Sequence, residues 1–273
     1  MKRFINIKTT MRSETSKESM EKLDEIFKEY IPKNYVQYYN PKFFYPFDED
    51  SPYISQLLYF AQDHFIDCEI RPQVHFTKGE LDKMPFYEMR LPDPLELEAH
   101  TPLYYGNQYR GRCPICGYGG ELVGDFMIDR KLMKKYKIVS TEGHYFLSNE
   151  VRHLFEENGI TGIKYLGSVK DYKTREMPAF NLFACSNVLP PVSPTTILTK
   201  EGFPCKHCGF DIVHYSHPLE YEKSKLDNAM DFNFTYETLS NDRSQLLVVS
   251  SKVKQICKEN KIFARFDPIL LLD

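Results

Sequence analysis

Cys113-Pro114-Ile115-Cys116-Gly117 and Cys205-Lys206-His207-Cys208-Gly209 decide how the chain is read. Each stretch carries two thiols at the x2 spacing with a glycine directly behind. That is the pattern of a zinc knuckle, a tight turn that aims two sulfurs at one point. A tetrahedral Zn²⁺ site takes four soft ligands, so two knuckles make one complete site. The spacing predicts one structural zinc ion held by Cys113, Cys116, Cys205 and Cys208. The glycine behind each second cysteine suits a backbone of positive φ, where the chain turns away from the metal. Residues 117–204 lie between the knuckles, so the site is expected to join two distant parts of the chain.

A redox CxxC needs its cysteines at the start of a helix, which lowers the thiol pKa. Gly117-Tyr118-Gly119-Gly120 follows the first pair and argues against that context. His207 lies between two ligand cysteines, at a position that a knuckle turns away from the ion. His214 and His217 follow the second knuckle near Asp211 and Glu220, in a segment of strand and turn character, and are expected to be surface residues rather than a second metal site.

Outside the knuckles the composition is that of an ordinary soluble protein of 273 residues, 42% hydrophobic and 27% charged. With 35 basic and 38 acidic side chains the formal net charge is -3, which gives no general electrostatic reason to bind nucleic acid. The chain carries no apolar stretch near the roughly 18 residues needed to span a bilayer, so no membrane partner is expected. Seven cysteines, four of them in the knuckles, suit a reducing compartment better than a disulfide framework, and a cytoplasmic location is expected.

Reading outward toward the N-terminus, Thr15-Ser16-Lys17-Glu18 has the form of a capping box before Met20, Leu23, Ile26, Phe27 and Tyr30, which recur at helical spacing. Ser51-Pro52 opens a second helix, residues 67–76 are expected to be extended, Thr77 to Glu80 is another capping box, and residues 85–91 read as a strand. An acidic, proline-containing stretch then leads to the first knuckle.

Toward the C-terminus the chain repeats itself. Each knuckle is followed by an Asp-Phe pair (Asp125-Phe126, Asp231-Phe232), a strand, a serine-capped helix (Ser148, Ser250), a Glu-Asn stop (Glu157-Asn158, Glu259-Asn260) and a closing strand near Ile163 or Phe266. Asparagine tolerates the left-handed conformation that ends a helix, so Asn158 with Gly159, and Asn260 alone, are expected to form the C-caps. Val151/Val253 and Ile160/Ile262 match in the same gapless alignment. Pro190-Pro191-Val192-Ser193-Pro194 reads as a stiff hinge between halves. The predicted fold class is therefore α+β: a duplicated zinc-knuckle/strand-helix-strand body over 104–273, with halves of about 104–189 and 195–273, and an N-terminal helical and extended subdomain over 1–103.

No Ser/His/Asp ordering, paired-carboxylate signature or Gly-rich phosphate loop stands in its required context, so no enzyme is predicted. The two CxxCG knuckles, with Asp231-Phe232 and the run from Leu247-Val248-Val249-Ser250 to Asn260, resemble the bacterial double-CXXCG motif proteins. That resemblance covers roughly 104–273. It implies an immunity protein, a zinc-stabilised cytoplasmic binder that neutralises a cognate protein toxin. The four cysteines transfer to the family's motif; no toxin-contact residues do. An alternative is a zinc-ribbon adaptor of nucleic acid or transcription machinery, for which Arg110, Arg112, Lys206 and Lys223 are the candidate basic residues.

Overall fold

A computed structural model of the chain describes residues 2–11, 13, 15–30, 44–92, 108–128, 136–141, 143–171, 173–176, 180–196, 198–201, 204–215, 218–239 and 244–273. The fold is mixed α/β with several small sheets, and the chain forms two compact units that divide after Lys83. Among the described residues no helix is long and apolar enough to cross a membrane.

The first unit contains β1 (Lys2–Met11), α1 (Lys17–Phe27), β2 (Phe44–Asp48), α2 (Tyr53–Asp63), β3 (Ile66–His75) and the short α3 (Lys78–Leu81). Its sheet has the order β2-β1-β3, both pairings antiparallel. Pro46 and Pro72 sit on the two outer strands, where a missing N–H breaks no ladder, and the central strand has no proline. Ile7, Leu23, Phe27, Phe47 and Leu57 form the core of this unit, with the Phe27 and Phe47 rings edge to face at 6.4 Å. The cap of α1 falls one residue later than the sequence suggests. Ser16 Oγ accepts from the Ser19 N–H, while Thr15 donates to the Phe65 carbonyl fifty residues away. The capping box at Thr77 and Glu80 is present in full.

The second unit runs through β4 (Phe86–Arg90), β5 (Gln108–Arg110), β6 (Glu121–Val123), β7 (Phe126–Ile128), β8 (Ile138–Thr141), β9 (His144–Ser148), α4 (Asn149–Glu157), β10 (Ile163–Asp171), β11 (Phe180–Cys185), β12 (Leu198–Glu201), β13 (Ile212–Tyr215), β14 (Glu220–Glu222), β15 (Phe232–Leu239), β16 (Ser244–Ser250), α5 (Ser251–Glu259), β17 (Arg265–Pro268) and β18 (Leu270–Leu272). The boundary expected at 103/104 lies outside the described residues. The strand upstream of it, β4, packs in the second unit because it fills the gap between β16 and β17.

Two sheets of this unit use their strands in the same roles. The first has the order β7-β10-β11-β9-β8, the second β15-β16-β4-β17. In both, the strand that ends on the cap serine runs antiparallel to an outer strand and to a central one. The central strand pairs in the same register, Ser148 with Phe180 and Ser250 with Phe86. In one sheet it comes from later in the chain, in the other from earlier. The cap serine's own N–H donates to Lys137 O at 2.9 Å and to Asp231 O at 3.0 Å. Asp231-Phe232 therefore stands where Lys137-Ile138 stands. The expected match with Asp125-Phe126 fails, because Phe126 opens β7, an edge strand parallel to β10, and Asp125 pairs with Lys170.

Both helices are capped as the sequence predicts at their starts, with Ser148 Oγ and Ser250 Oγ accepting from the N–H three residues on. At the second helix the end differs from expectation. Asn158 and Asn260 keep negative φ and donate from Nδ2 to the carbonyl four residues back. The left-handed residue is the next one, Gly159 at φ 60° and Lys261 at φ 53°. A side chain in that region costs about 1 kcal/mol, so Lys261→Gly is expected to raise stability by about that amount, read as a higher chemical-denaturation midpoint with an unchanged slope.

One core serves both helices. Phe232 lies between Phe155 at 5.5 Å and Phe183 at 6.0 Å, with Val151, Leu147, Val253 and Val249 around it. The proline run at 190–194 does not behave as a hinge. Leu189 and Val192 are buried on either side of the prolines, and the backbone N–H groups of Leu189, Val192 and Ser193 donate to Phe234, Glu237 and Glu220.

Asp231 fastens the two helical segments together. Its carboxylate accepts from Ser250 Oγ at 2.6 Å and from Thr161 N–H and Oγ1 at 3.0 Å. Burial alone would raise its pKa, but these hydrogen bonds and the Lys252 charge outweigh burial and hold it below the ordinary value. A depressed carboxyl pKa adds stability that is present above the unfolded value of about 3.9 and is lost as pH falls through the folded value. Asp231→Asn is expected to destabilise the protein at neutral pH, with its deficit against wild type shrinking below about pH 4. Urea midpoints at both pH values check this.

Candidate metal centre

Each knuckle is the tip of an antiparallel hairpin. The first hairpin pairs β5 with β6, Arg110 opposite Glu121, and the second pairs β12 with β13, Glu201 opposite Ile212. Pairing at the base sets the distance across which the intervening residues must turn. The turns are hydrogen-bonded alike: Gly117 N–H donates to Cys113 O and Gly209 N–H to Cys205 O, each at 2.8 Å. Cys113 N–H donates to Tyr118 O at 2.9 Å and Cys205 N–H to Phe210 O at 2.8 Å. Gly117 and Gly209 adopt φ of 70° and 71°, the left-handed values that glycine takes without steric cost.

The two tips meet. The Sγ atoms of Cys113, Cys116, Cys205 and Cys208 all lie within 4.8 Å of one another. Across the hairpins Cys113 Sγ is 3.7 Å from Cys205 Sγ, and Cys116 Sγ is 3.5 Å from Cys208 Sγ. A tetrahedral ion with metal–sulfur bonds of about 2.3 Å has sulfur–sulfur edges of about 3.8 Å, so the four residues fit a metal ion bound by sulfur alone. All four predicted ligands are brought together. Among the described residues this is the group of His, Cys, Asp and Glu side chains whose ligand atoms converge in this way. His207 is exposed at the knuckle tip and His214 lies on β13 opposite Thr199. His217 lies outside the described residues.

The backbone of the turns acts on the thiols. Cys205 is pulled down to about 6, first by the backbone N–H of Cys208 and then by that of His207. Cys113 is lowered in the same way by the N–H groups of Cys116 and Ile115. Cys208 moves up to about 12: the Phe210 N–H favours its thiolate, but desolvation and the neighbouring sulfurs outweigh it. The turns thus stabilise thiolates that repel one another at this separation. A divalent ion between them converts that repulsion into attraction.

Aromatic groups frame the centre. Tyr118 and Phe210, each directly behind a knuckle glycine, stack with ring centroids 3.7 Å apart and an interplanar angle of 23°. The Arg112 guanidinium lies over the Tyr109 ring at 3.6 Å. Tyr109 Oη and His144 Nε2 share a hydrogen bond of 2.9 Å, which ties the first hairpin to β9. Burial, assisted by the Arg112 charge, pushes the His144 pKa down to about 4, so its ring is neutral at pH 7. No motif around His144 connects it to the knuckle 28 residues upstream at Cys116. The aromatic stack did have a signal in the sequence, an aromatic residue after each CxxCG.

A scan against protein-family models found no match for the chain, and a search of curated proteins found no relative.

Proposed function

We propose that the chain is a zinc-stabilised binding protein of the immunity type, which neutralises a cognate bacterial toxin by direct binding. The observation that carries the architectural half of this reading is the closed set of four sulfurs at the meeting point of two hairpins. Thiolate-only, near-tetrahedral geometry suits Zn²⁺, and four cysteines leave no coordination position for a substrate or an activated water. The ion is then a staple and not a Lewis acid. A reducing, cytoplasmic setting keeps such thiols available to metal.

The shared strand roles and the common Ser148–Phe180 and Ser250–Phe86 registers support reading the body as a duplicated zinc-knuckle/strand-helix-strand unit. The zinc then clamps the two copies at equivalent landmarks. The toxin half of the reading rests on the resemblance to the double-CXXCG motif proteins.

Co-expression with a growth-inhibiting protein encoded beside this chain's gene tests it. A complex that survives gel filtration, with rescue of growth, is the expected result. No complex and no rescue, together with salt-sensitive binding to DNA or RNA weakened by Lys206→Glu, would instead favour the nucleic-acid adaptor.

A further inference from the structure

The four sulfurs are not equally placed. Cys113 is 7% exposed. Cys208 is open to solvent, and Cys116 and Cys205 are both partly so. Across the hairpins the most exposed sulfur faces Cys116 Sγ at 3.5 Å, whereas the other cross-hairpin pair, Cys113 and Cys205 at 3.7 Å, contains the buried Cys113.

We propose that the outer pair, Cys116 and Cys208, is an oxidation site at which a peroxide replaces the metal staple by a covalent one. This rests on the zinc reading above and adds a regulation to the same site. The Cys208 sulfur, which the metal holds as a thiolate, attacks one peroxide oxygen, the O–O bond breaks, and the departing hydroxide takes a proton to become water. The Cys208 sulfenic acid so formed is attacked by the Cys116 thiolate. The S–S bond forms, the S–O bond breaks, and a second hydroxide leaves as water. The two thiolates lose two electrons, and one peroxide with two protons becomes two waters.

The metal, left with Cys113 and Cys205 alone, has lost half of its ligands and dissociates. The hairpins stay joined because the new bond crosses between them. Loss of zinc under oxidation therefore differs from loss of zinc to a chelator, which leaves no covalent or metal link between the tips and keeps the Tyr118–Phe210 stack.

Three other thiols act as internal controls. Cys257 is fully buried, and burial raises the pKa of Cys185 and Cys257, suppressing their reactive thiolates. Cys68 lies in the first unit, with its own pKa pushed up to about 11 by burial and then by Asp67.

The test uses the full chain as purified with its metal. Zinc is counted first, hydrogen peroxide is then added in modest excess, released zinc is followed with a zinc-sensitive dye, and disulfides are mapped by non-reducing peptide mass spectrometry. The expected result is about one equivalent of zinc released, a Cys116–Cys208 linkage as the first disulfide, and restoration of zinc binding by a dithiol reductant. Disulfides confined within knuckles, Cys113–Cys116 or Cys205–Cys208, would overturn the proposal while leaving the zinc reading intact. So would zinc that stays bound while Cys185 or Cys257 oxidises. A chain that carries no zinc before the peroxide overturns both, and the initial count tells the two failures apart.

Discussion

Cys116→Ser is expected to abolish stoichiometric metal binding and to destabilise the second unit by several kcal/mol. A hydroxyl is a hard, poorly acidic donor, and its replacement of one thiolate leaves three sulfurs around a site shaped for four. Structural zinc contributes roughly 10–16 kcal/mol to the folding of small finger domains, comparable to the whole stability of about 5–15 kcal/mol of an ordinary domain. Here the hairpins also belong to a body with a large core of its own around Phe232. The loss is therefore expected to be smaller than in a finger, at about 3 kcal/mol or more, because only the staple and what it orders are removed. Thermal unfolding and metal content, measured beside Cys68→Ser as a control outside the site, check this. A Cys116→Ser protein that keeps one zinc and melts with wild type would refute the assignment of Cys116 as a ligand.

Gly162→Ala is expected to cost about 3–5 kcal/mol, the sum of left-handed backbone strain and overpacking against backbone. Gly162 has φ 87°, and a Cβ there would stand 2.1 Å from the carbonyl oxygen of Phe232. That oxygen belongs to the backbone of β15 and cannot rotate away as a side chain would. The neighbouring hydrogen bonds, Phe232 N–H to Thr161 O at 3.0 Å and Ser186 N–H to Gly162 O at 2.8 Å, hold three segments together at this point. Moving β15 to admit a methyl group would also disturb Phe232, which sits between Phe155 and Phe183. Chemical denaturation of Gly162→Ala, with Gly159→Ala as a comparison, isolates the close approach. Gly159 has φ 60° but nothing within 4 Å of the position its Cβ would take. It should lose only about 1–2 kcal/mol, the backbone share of the cost. Equal losses in the two variants would mean that the close approach at Gly162 carries no energetic weight.

The candidate metal centre was legible in the sequence because its chemistry is local. Two thiols and a glycine specify a knuckle, and the structure brings Cys113, Cys116, Cys205 and Cys208 together. The helices α1, α2, α4 and α5 were legible for the same reason, because apolar spacing and, at α4 and α5, serine caps lie within a few residues of one another; α2 instead starts at Tyr53 after Pro52, with no side-chain cap. What the sequence hid is non-local. β4 is an unremarkable run of five residues, and nothing in it says that its neighbours are β16 and β17. β1 contains one short apolar run, Phe4 to Ile7, that gives no warning of a ten-residue central strand.

The Asp-Phe match failed for a related reason. Two identical dipeptides at similar distances behind the knuckles suggested equivalence, whereas strand register assigns Asp231 the place of Lys137. At the helix ends, Asn158 with Gly159, and Asn260 alone, looked like the left-handed caps. Their side chains instead bond the preceding turn, and the reversal passes to Gly159 and Lys261. Propensity located both stops; at the second it misplaced the reversal by one residue, from Asn260 to Lys261.

The central claim is that one zinc ion bound by four cysteine sulfurs joins two hairpins. Zinc K-edge X-ray absorption on the purified chain, with metal counted per chain, tests it most directly. The account predicts one zinc with four sulfur neighbours at about 2.3 Å and no nitrogen or oxygen in the first shell. A shell containing a histidine nitrogen or a water oxygen, or two ions per chain, would contradict it.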